Sequence, residues 1–319
     1  MEFLKVNDLK TYFFTRWGTV KAVDGVSFSL KEGQTLGLVG ESGCGKSVTC
    51  LSILRLVPQP AGRVVGGQVF LQGEDLLMKS EEEMRRIRGP KISMILQDPM
   101  SSLNPVFTIG NQLTEAIKIH RGLKGQSLWE SAKEALEMVQ ISSPEVCLKS
   151  YPHQLSGGMR QRVVGAIALS CEPRLLIADE PTTSLDATIQ VQYLRLLREL
   201  QQKNKLTLIF VTHDFAIIAR MCKDVAVMYA GKIVETADVR ELFNHPMHPY
   251  TQALMKSVPK IEEEEKLVGI EGQPPLLWNL PKGCTFAPRC SFVMHKCRDR
   301  HPLLGEIGDG HSVSCWKYV

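Results

Sequence analysis

Gln34-Thr35-Leu36-Gly37-Leu38-Val39-Gly40-Glu41-Ser42-Gly43-Cys44-Gly45-Lys46-Ser47 decides how the rest of this chain is read. An apolar run of strand character, Gln34 to Val39, enters a glycine-rich turn of the form G-x-x-x-x-G-K-[ST], and a helix-like stretch, Val48 to Leu56, leaves it. Strand, loop and helix in that order build an anion cradle. Glycines let backbone N–H groups wrap phosphate oxygens, and the helix start adds the positive end of its dipole. Gly40, Ser42, Gly43, Cys44, Gly45, Lys46 and Ser47 are the expected cradle. Lys46 is placed to reach the β- and γ-phosphates of a nucleotide, and the Ser47 hydroxyl to help hold Mg²⁺.

Outward from that loop, short β-branched runs recur between helix-like stretches: Ile92 to Leu96, Leu175 to Ala178, Leu206 to Val211 and Val225 to Tyr229. Such alternation predicts an α/β fold around a largely parallel sheet. The runs at Leu175 and Leu206 are continuously apolar, as strands buried on both faces are. Val20 to Leu30 alternates only in part, which suits an antiparallel strand laid beside the core. From Thr108 to Ser170 the apolar spacing turns helical, so a helical subdomain, about residues 100–170, is expected within the α/β core.

Two further motifs carry chemistry. Leu175-Leu176-Ile177-Ala178 ends in the adjacent carboxylates Asp179 and Glu180. Neighbouring side chains on an extended chain point opposite ways, so one acid can hold Mg²⁺ (Asp179) while the other polarises water (Glu180). Leu155-Ser156-Gly157-Gly158-Met159, followed by Arg160-Gln161-Arg162, sets a serine and two glycines at a second helix start. One nucleotide does not need two such cradles from one subunit.

These motifs, in this order, resemble those of the ATP-binding cassette proteins. The resemblance implies a P-loop NTPase with a RecA-like parallel core, an antiparallel β subdomain and an inserted helical subdomain. It also implies a head-to-tail dimer, with each ATP between the phosphate loop of one subunit and Ser156, Gly157 and Gly158 of the other. Gln97 resembles the glutamine that contacts Mg²⁺ and the attacking water, Ser184-Leu185-Asp186 the loop that crosses the dimer interface, and His213 the switch histidine on the γ-phosphate. The adenine is expected to stack on an aromatic ring upstream of the loop. Trp17 is the first choice, with Tyr12, Phe13 and Phe14 as alternatives.

Longer phrases narrow the resemblance. Gln97-Asp98-Pro99-Met100-Ser101-Ser102-Leu103-Asn104-Pro105, Asp179 to Gln190, and His248-Pro249-Tyr250-Thr251-Gln252-Ala253-Leu254 look like the oligopeptide/dipeptide importer ATPases, along essentially the whole chain. That branch implies an ATPase that energises peptide import, with transmembrane permease subunits as partners. It further implies a second homologous ATPase, as a heterodimer or a homodimer, and an extracytoplasmic peptide-binding protein. Nickel or another small solute is the alternative cargo. Leu96 and Ser184 depart slightly from the commoner phenylalanine and alanine.

The remaining composition agrees. The chain has 319 residues, 44 % of them apolar, with a formal net charge of +4. No apolar run approaches the roughly 20 residues of a membrane span, and Met1 to Lys10 carries charges where a signal peptide needs apolar residues. The expected location is the cytoplasmic face of the membrane. Basic and acidic side chains balance from Lys260 onward, which disfavours the alternative of a soluble cassette acting on nucleic acid. The acid run Glu262 to Glu265 reads as solvated surface.

The expected organisation is a nucleotide-binding domain, 1–258, and a small irregular cysteine-rich region, 259–319. In that region Cys284, Cys290, Cys297 and Cys315 are spaced C-x5-C-x6-C-x17-C. In a reducing compartment grouped thiols favour metal over disulfides. The C-x2-4-C pairs usual for structural zinc are missing. The tail resembles the cysteine-bearing region of peptide-importer ATPases, some of which hold a [4Fe-4S] cluster; zinc at the same cysteines, or no metal, are the other readings.

Overall fold

The computed structural model describes residues 2–183, 185–257, 269–308 and 310–319. Ser184, the acid run Glu262 to Glu265 and the expected boundary after residue 258 therefore lie outside the described residues. Backbone contacts divide the chain into two units, the first Met1–Leu30, Thr35–Leu77 and Phe210–Val319, the second Lys31–Gln34 and Met78–Ile209.

The first unit begins with a four-stranded sheet of order β2-β1-β4-β5, built from β1 (Glu2–Thr15), β2 (Gly18–Lys31), β4 (Gly62–Leu71) and β5 (Glu74–Asp75). β1 pairs antiparallel with β4, Leu4 opposite Leu71 and Val6 opposite Val69. Its buried side chains are Phe3, Leu4 and Val6, then Leu9 and Thr11, so the buried series that runs through even Leu4 and Val6 passes to odd Leu9 and Thr11. A break in register between Asn7 and Lys10 explains the switch, because one inserted residue turns every later side chain to the opposite face.

A second sheet supplies the strand that feeds the phosphate loop. β3 (Thr35–Val39) pairs parallel with β9 (Asp224–Tyr229), Val39 opposite Val227. β9 pairs antiparallel with β10 (Lys232–Asp238). Residue by residue, β3 is buried from Leu36 to Val39. At Gly37 a Cβ would stand 2.6 Å from Ile218 Cδ1, so α9 (Phe215–Met221) lies flush on the strand. The remaining helices of this unit are α1 (Lys46–Ile53), α10 (Val239–Asn244), α11 (Pro249–Lys256) and α12 (His295–Asp299).

The tail is less irregular than the sequence suggested. β11 (Gly305–Gly308) and β12 (His311–Val313) form a hairpin, and β12 pairs with β10, Glu235 opposite Val313. These strands are too short to show a hydrophobic period. A buried carboxylate helps fix them instead. Glu235 is 0 % exposed and accepts from His311 Nε2 at 2.8 Å, from Met247 N at 2.7 Å and from His248 N at 2.9 Å.

The second unit holds α2 (Glu81–Ile87), β6 (Ile92–Ile95), α3 (Pro99–Ser102), α4 (Ile109–Arg121), α5 (Gly125–Met138), α6 (Pro144–Lys149), α7 (Gly157–Leu169), β7 (Leu175–Asp179) and α8 (Ala187–Asn204). The helical spacing read between Thr108 and Ser170 corresponds to α4 through α7. Ile109, Leu113 and Ile117 make the buried stripe of α4. β6 pairs parallel with β7, Ile92 opposite Leu175. β8 (Thr207–Thr212) belongs to both units, with Thr207 to Ile209 in the second and Phe210 to Thr212 in the first. Strand order is thus β11-β12-β10-β9-β3-β8 in the first unit and β8-β7-β6 in the second.

Candidate active site

In the first unit β3 delivers the chain into the glycine-rich loop at Gly40. A Cβ there would stand 2.2 Å from the Met228 carbonyl oxygen, so only glycine lets the loop leave the sheet this closely. Gly45 is the second such position. Its φ of 107° is left-handed, and a Cβ would approach the Ala22 carbonyl oxygen to 2.1 Å. Cys44 is pinned from outside, its carbonyl accepting from Gly231 N at 2.9 Å. Burial pushes the Cys44 thiol up, although Lys46 opposes that, so it remains a packed thiol.

α1 starts at Lys46 with Gly45 as its N-cap and no capping side chain, the kind of helix start at which an anion can be bound. The Lys46 side chain is buried, and its ammonium donates to the Gly40 carbonyl at 2.8 Å and to the Glu41 carbonyl at 3.1 Å. Its third N–H is directed to Cys44 Sγ at 3.8 Å, a weak acceptor that a phosphate oxygen would replace. Ser42, Gly43 and Ser47 complete the loop, and a small cleft lined by Ser42, Gly43, Tyr229, Pro274, Pro275 and Leu277 lies against it.

Two aromatic rings upstream are exposed. Trp17 sits in the turn between β1 and β2, 72 % exposed, with the Arg16 guanidinium 4.8 Å from its ring centroid. Phe14 is 49 % exposed, with Arg63 over its ring. Tyr12 instead donates its hydroxyl to Asp24 Oδ1 at 2.6 Å. His213 follows β8 and is exposed, next to Asp214, which caps α9 by accepting from Ala216 N at 2.7 Å.

In the second unit the ends of β6 and β7 bring Gln97 and Glu180 together. Gln97 Nε2 donates to Glu180 Oε2 at 3.0 Å, and Thr183 Oγ1 donates to the same oxygen at 3.0 Å. Asp179 is 3 % exposed, whereas Glu180 is half-buried. Glu180 also takes a left-handed φ of 43°. A non-glycine residue in that region costs on the order of 1–3 kcal/mol, and such strain gathers where a side chain must be aimed. Two carboxylates, one enclosed and one hydrogen-bonded at the strand end, are therefore chemically distinct.

The Leu155-Ser156-Gly157-Gly158-Met159 stretch opens α7. Ser156 is its N-cap, with Oγ accepting from Met159 N at 3.3 Å. Ser156 and Gly157 are exposed, and no atom stands within 4 Å of a Cβ built at Gly157. At Gly158 a Cβ would meet Ile189 Cγ2 at 2.8 Å, so α8 packs tightly there. The result is an uncrowded helix start at the surface. Asp186 caps α8, accepting from Ile189 N at 3.0 Å.

In the first unit's tail Cys284, Cys290, Cys297 and Cys315 line one small cavity, together with Phe286 and Met294. Burial and then neighbouring thiols push Cys284 up to about 11, and burial raises Cys290 and Cys315. Lys296 lies over the Trp316 ring and Lys317 over Phe292, so cations border the thiols. Among the described residues, no three His, Cys, Asp or Glu side chains are arranged to hold a single metal ion.

Sequence reasoning missed Arg289. Its guanidinium grips the Glu41 carboxylate of the phosphate loop, at 2.8 Å from Nη1 to Oε2 and 3.1 Å from Nη2 to Oε1. Tyr250, quoted above only as part of a phrase, accepts from Glu41 N at 2.8 Å. Nothing periodic marks Arg289; its one signal was a cation between Cys284 and Cys290.

Comparison with known proteins supplies the context. A family profile described as "ABC transporter" matches residues 23–183, and one described as "Oligopeptide/dipeptide transporter, C-terminal region" matches residues 234–297. A probable peptide ABC transporter ATP-binding protein of Sinorhizobium fredii is 50 % identical, over 98 % of this chain and 94 % of its own. The oligopeptide transport ATP-binding protein AppD of Bacillus subtilis is 49 % identical, over 99 % and 96 %. The dipeptide transport ATP-binding protein DppD of Escherichia coli is 45 % identical over the same shares. Among solved structures, the dimeric post-hydrolysis state of the ATP-binding cassette MJ0796 bound to ADP and Pi superposes with a TM-score of 0.66. It is 27 % identical and covers 74 % of this chain and 99 % of that one.

Proposed function

This chain belongs to the ABC transporter family, in its oligopeptide/dipeptide branch, and from that premise we propose how its residues divide the work of binding and splitting ATP. It is an ATP-hydrolysing subunit that energises peptide import by an ABC transporter. One observation carries the division of roles: a single chain presents two glycine-led helix starts, one at Lys46 and one at Gly157. A triphosphate occupies the first, and the second faces the nucleotide of a neighbouring cassette.

Gly40 and Ser42 through Ser47 cradle the phosphates, and Lys46 neutralises the β- and γ-phosphate oxygens. Ser47, Asp179 and Gln97 hold Mg²⁺, the enclosed carboxylate of Asp179 being suited to a cation. Glu180 polarises the attacking water, since its carboxylate is already aimed by Gln97 and Thr183. His213 contacts the γ-phosphate. Trp17 stacks on adenine, because its ring face is exposed while Tyr12 is committed to Asp24. Ser156, Gly157 and Gly158 serve the partner's ATP. ATP closes the cassettes, hydrolysis reopens them, and the segment after Gln97 passes the motion to the permease subunits.

The partners are transmembrane permease subunits, a second homologous ATPase and an extracytoplasmic peptide-binding protein. No helix of the described residues is long and apolar enough to cross a membrane. In this reading attachment to the cytoplasmic face of the membrane runs through the permease subunits. The nucleotide-binding domain takes 1–258 and the cysteine-rich region 259–319.

In that region the four cysteines fit a [4Fe-4S] cluster. A [4Fe-4S] cluster would be held by the thiolates of Cys284, Cys290, Cys297 and Cys315, which line one cavity. Bound there, the cluster would act as a structural cross-link, and the chain's contribution is the four thiolates and the apolar wall of Phe286 and Met294.

The test is reconstitution with the permease subunits and binding protein, followed by ATP-dependent uptake of labelled peptides and measurement of iron and sulfide after anaerobic purification. ATP-driven peptide uptake and brown protein with equal iron and sulfide are expected. Failure to bind or split Mg-ATP would sink the nucleotide assignments, and colourless protein with stoichiometric zinc would sink the cluster.

A further inference from the structure

We propose that Arg289, a residue of the C-terminal region, is a positioning residue of the ATP site, acting on Lys46 through Glu41. The proposal rests on the reading of Gly40 to Ser47 as the phosphate cradle and needs no metal at the cysteines.

Glu41 is held at three points. Its carboxylate takes the two-pronged Arg289 fork, its N–H donates to the Tyr250 hydroxyl at 2.8 Å, and its carbonyl accepts from Lys46 Nζ at 3.1 Å. The peptide that receives the catalytic ammonium is thus oriented by a side chain 248 positions later in sequence. Arg289 is itself over-determined. Its side chain is 4 % exposed, Nε donates to the Glu271 carbonyl at 3.0 Å, Nη2 to the Ile270 carbonyl at 3.3 Å, and Nη1 to the Tyr229 hydroxyl at 3.4 Å. The guanidinium also stands 5.9 Å from the Tyr229 ring centroid and 6.0 Å from that of Phe286. A planar fork so fixed transmits its position, whereas a lysine would supply only charge.

The pair has a second effect, which is electrostatic. A carboxylate in the phosphate loop opposes a triphosphate unless it is neutralised, and Arg289 neutralises Glu41 in an enclosed setting where water screens weakly. Arg289 also ends the turn Ala287–Arg289, immediately before Cys290. Whatever stabilises the cysteine region stabilises the fork, and by linkage ATP stabilises the cysteine region in return.

Orientation and neutralisation together predict a particular pattern. Arg289→Met leaves Glu41 charged and unheld, so KM for ATP should rise about tenfold while kcat at saturating ATP stays within about twofold. Adding Glu41→Gln removes the stranded charge and should restore most of the lost affinity. Arg289→Lys should fall between, with KM up about threefold. The measurements are ATPase kinetics of the assembled transporter and binding of a fluorescent ATP analogue to the full chain. Iron content and denaturation midpoint are followed in parallel, so that loss of the cysteine site is seen separately. An unchanged KM in Arg289→Met, or no restoration by Glu41→Gln, overturns the proposal. If Arg289→Met does not fold, Arg289→Lys decides in its place, and unchanged affinity there overturns it. A wild-type chain that fails to bind the analogue would sink the ATP-site reading itself, which is a different outcome.

Discussion

Removing the buried carboxylate of Glu235 should destabilise the first unit and weaken ATP binding at the same time. Glu235 is 0 % exposed and satisfies three donors, Met247 N at 2.7 Å, His248 N at 2.9 Å and His311 Nε2 at 2.8 Å. Glu235→Ala strands all three, and a buried donor without a partner costs about 1–3 kcal/mol. Allowing for water entering the space, the loss is about 3–6 kcal/mol, against a typical total stability of about 5–15 kcal/mol. Glu235→Gln keeps one acceptor oxygen but turns an NH₂ toward an N–H, and should cost about 2 kcal/mol. The damage runs onward along the chain. His248 caps α11 through Nδ1, which accepts from Tyr250 N at 3.1 Å, and Tyr250 holds Glu41 in the phosphate loop. Urea denaturation of the full chain gives the stability change from the midpoint, provided the slope is unchanged. The same samples report ATP-analogue affinity, which should fall in the same order, Ala more than Gln. A Glu235→Ala chain within about 1 kcal/mol of wild type at equal slope would refute the reasoning.

Three further outcomes follow from other sites. Glu180→Gln should lower turnover by about two to three orders of magnitude while leaving ATP bound, so that an ATP-loaded dimer accumulates on size exclusion; near-normal hydrolysis would move the water-activating role elsewhere. Trp17→Ala should weaken nucleotide binding by about 1 kcal/mol, with no change in melting temperature because the ring is 72 % exposed; equal affinity would assign adenine to another ring. Stability should also fall with acid. Burial, reinforced by nearby His301, lowers His248 to about 3, so the unfolded chain takes up a proton near pH 6.5 that the folded chain refuses. That contribution is complete above about pH 6.5 and is lost as pH falls toward 3, at up to about 1.4 kcal/mol per unit. His248→Asn, whose side chain can also cap α11, should flatten the dependence, seen as denaturation midpoints between pH 7.5 and pH 5.

Much of this protein could be read without coordinates because its chemistry is written in short segments. Gln34 to Ser47 specifies strand, loop and helix by local rules: apolar β-branched residues, glycines where a Cβ cannot fit, and a lysine at the helix start. Asp179 and Glu180 at a strand end, and Ser156 to Gly158 at a helix start, are equally local. The family phrases extended that reading to function, since they are contiguous in sequence. The four cysteines were visible as a group because they crowd one stretch.

Tertiary structure alone decided the rest. The bulge between Asn7 and Lys10 turns the later side chains of β1 to the other face, and the β11–β12 hairpin was too short to declare itself. Arg289 and Glu41 stand 248 positions apart, and His311 and Glu235 stand 76 apart. No period or motif links such pairs. A charge reads as solvated surface until the fold removes water from around it, and only then must it find one particular partner.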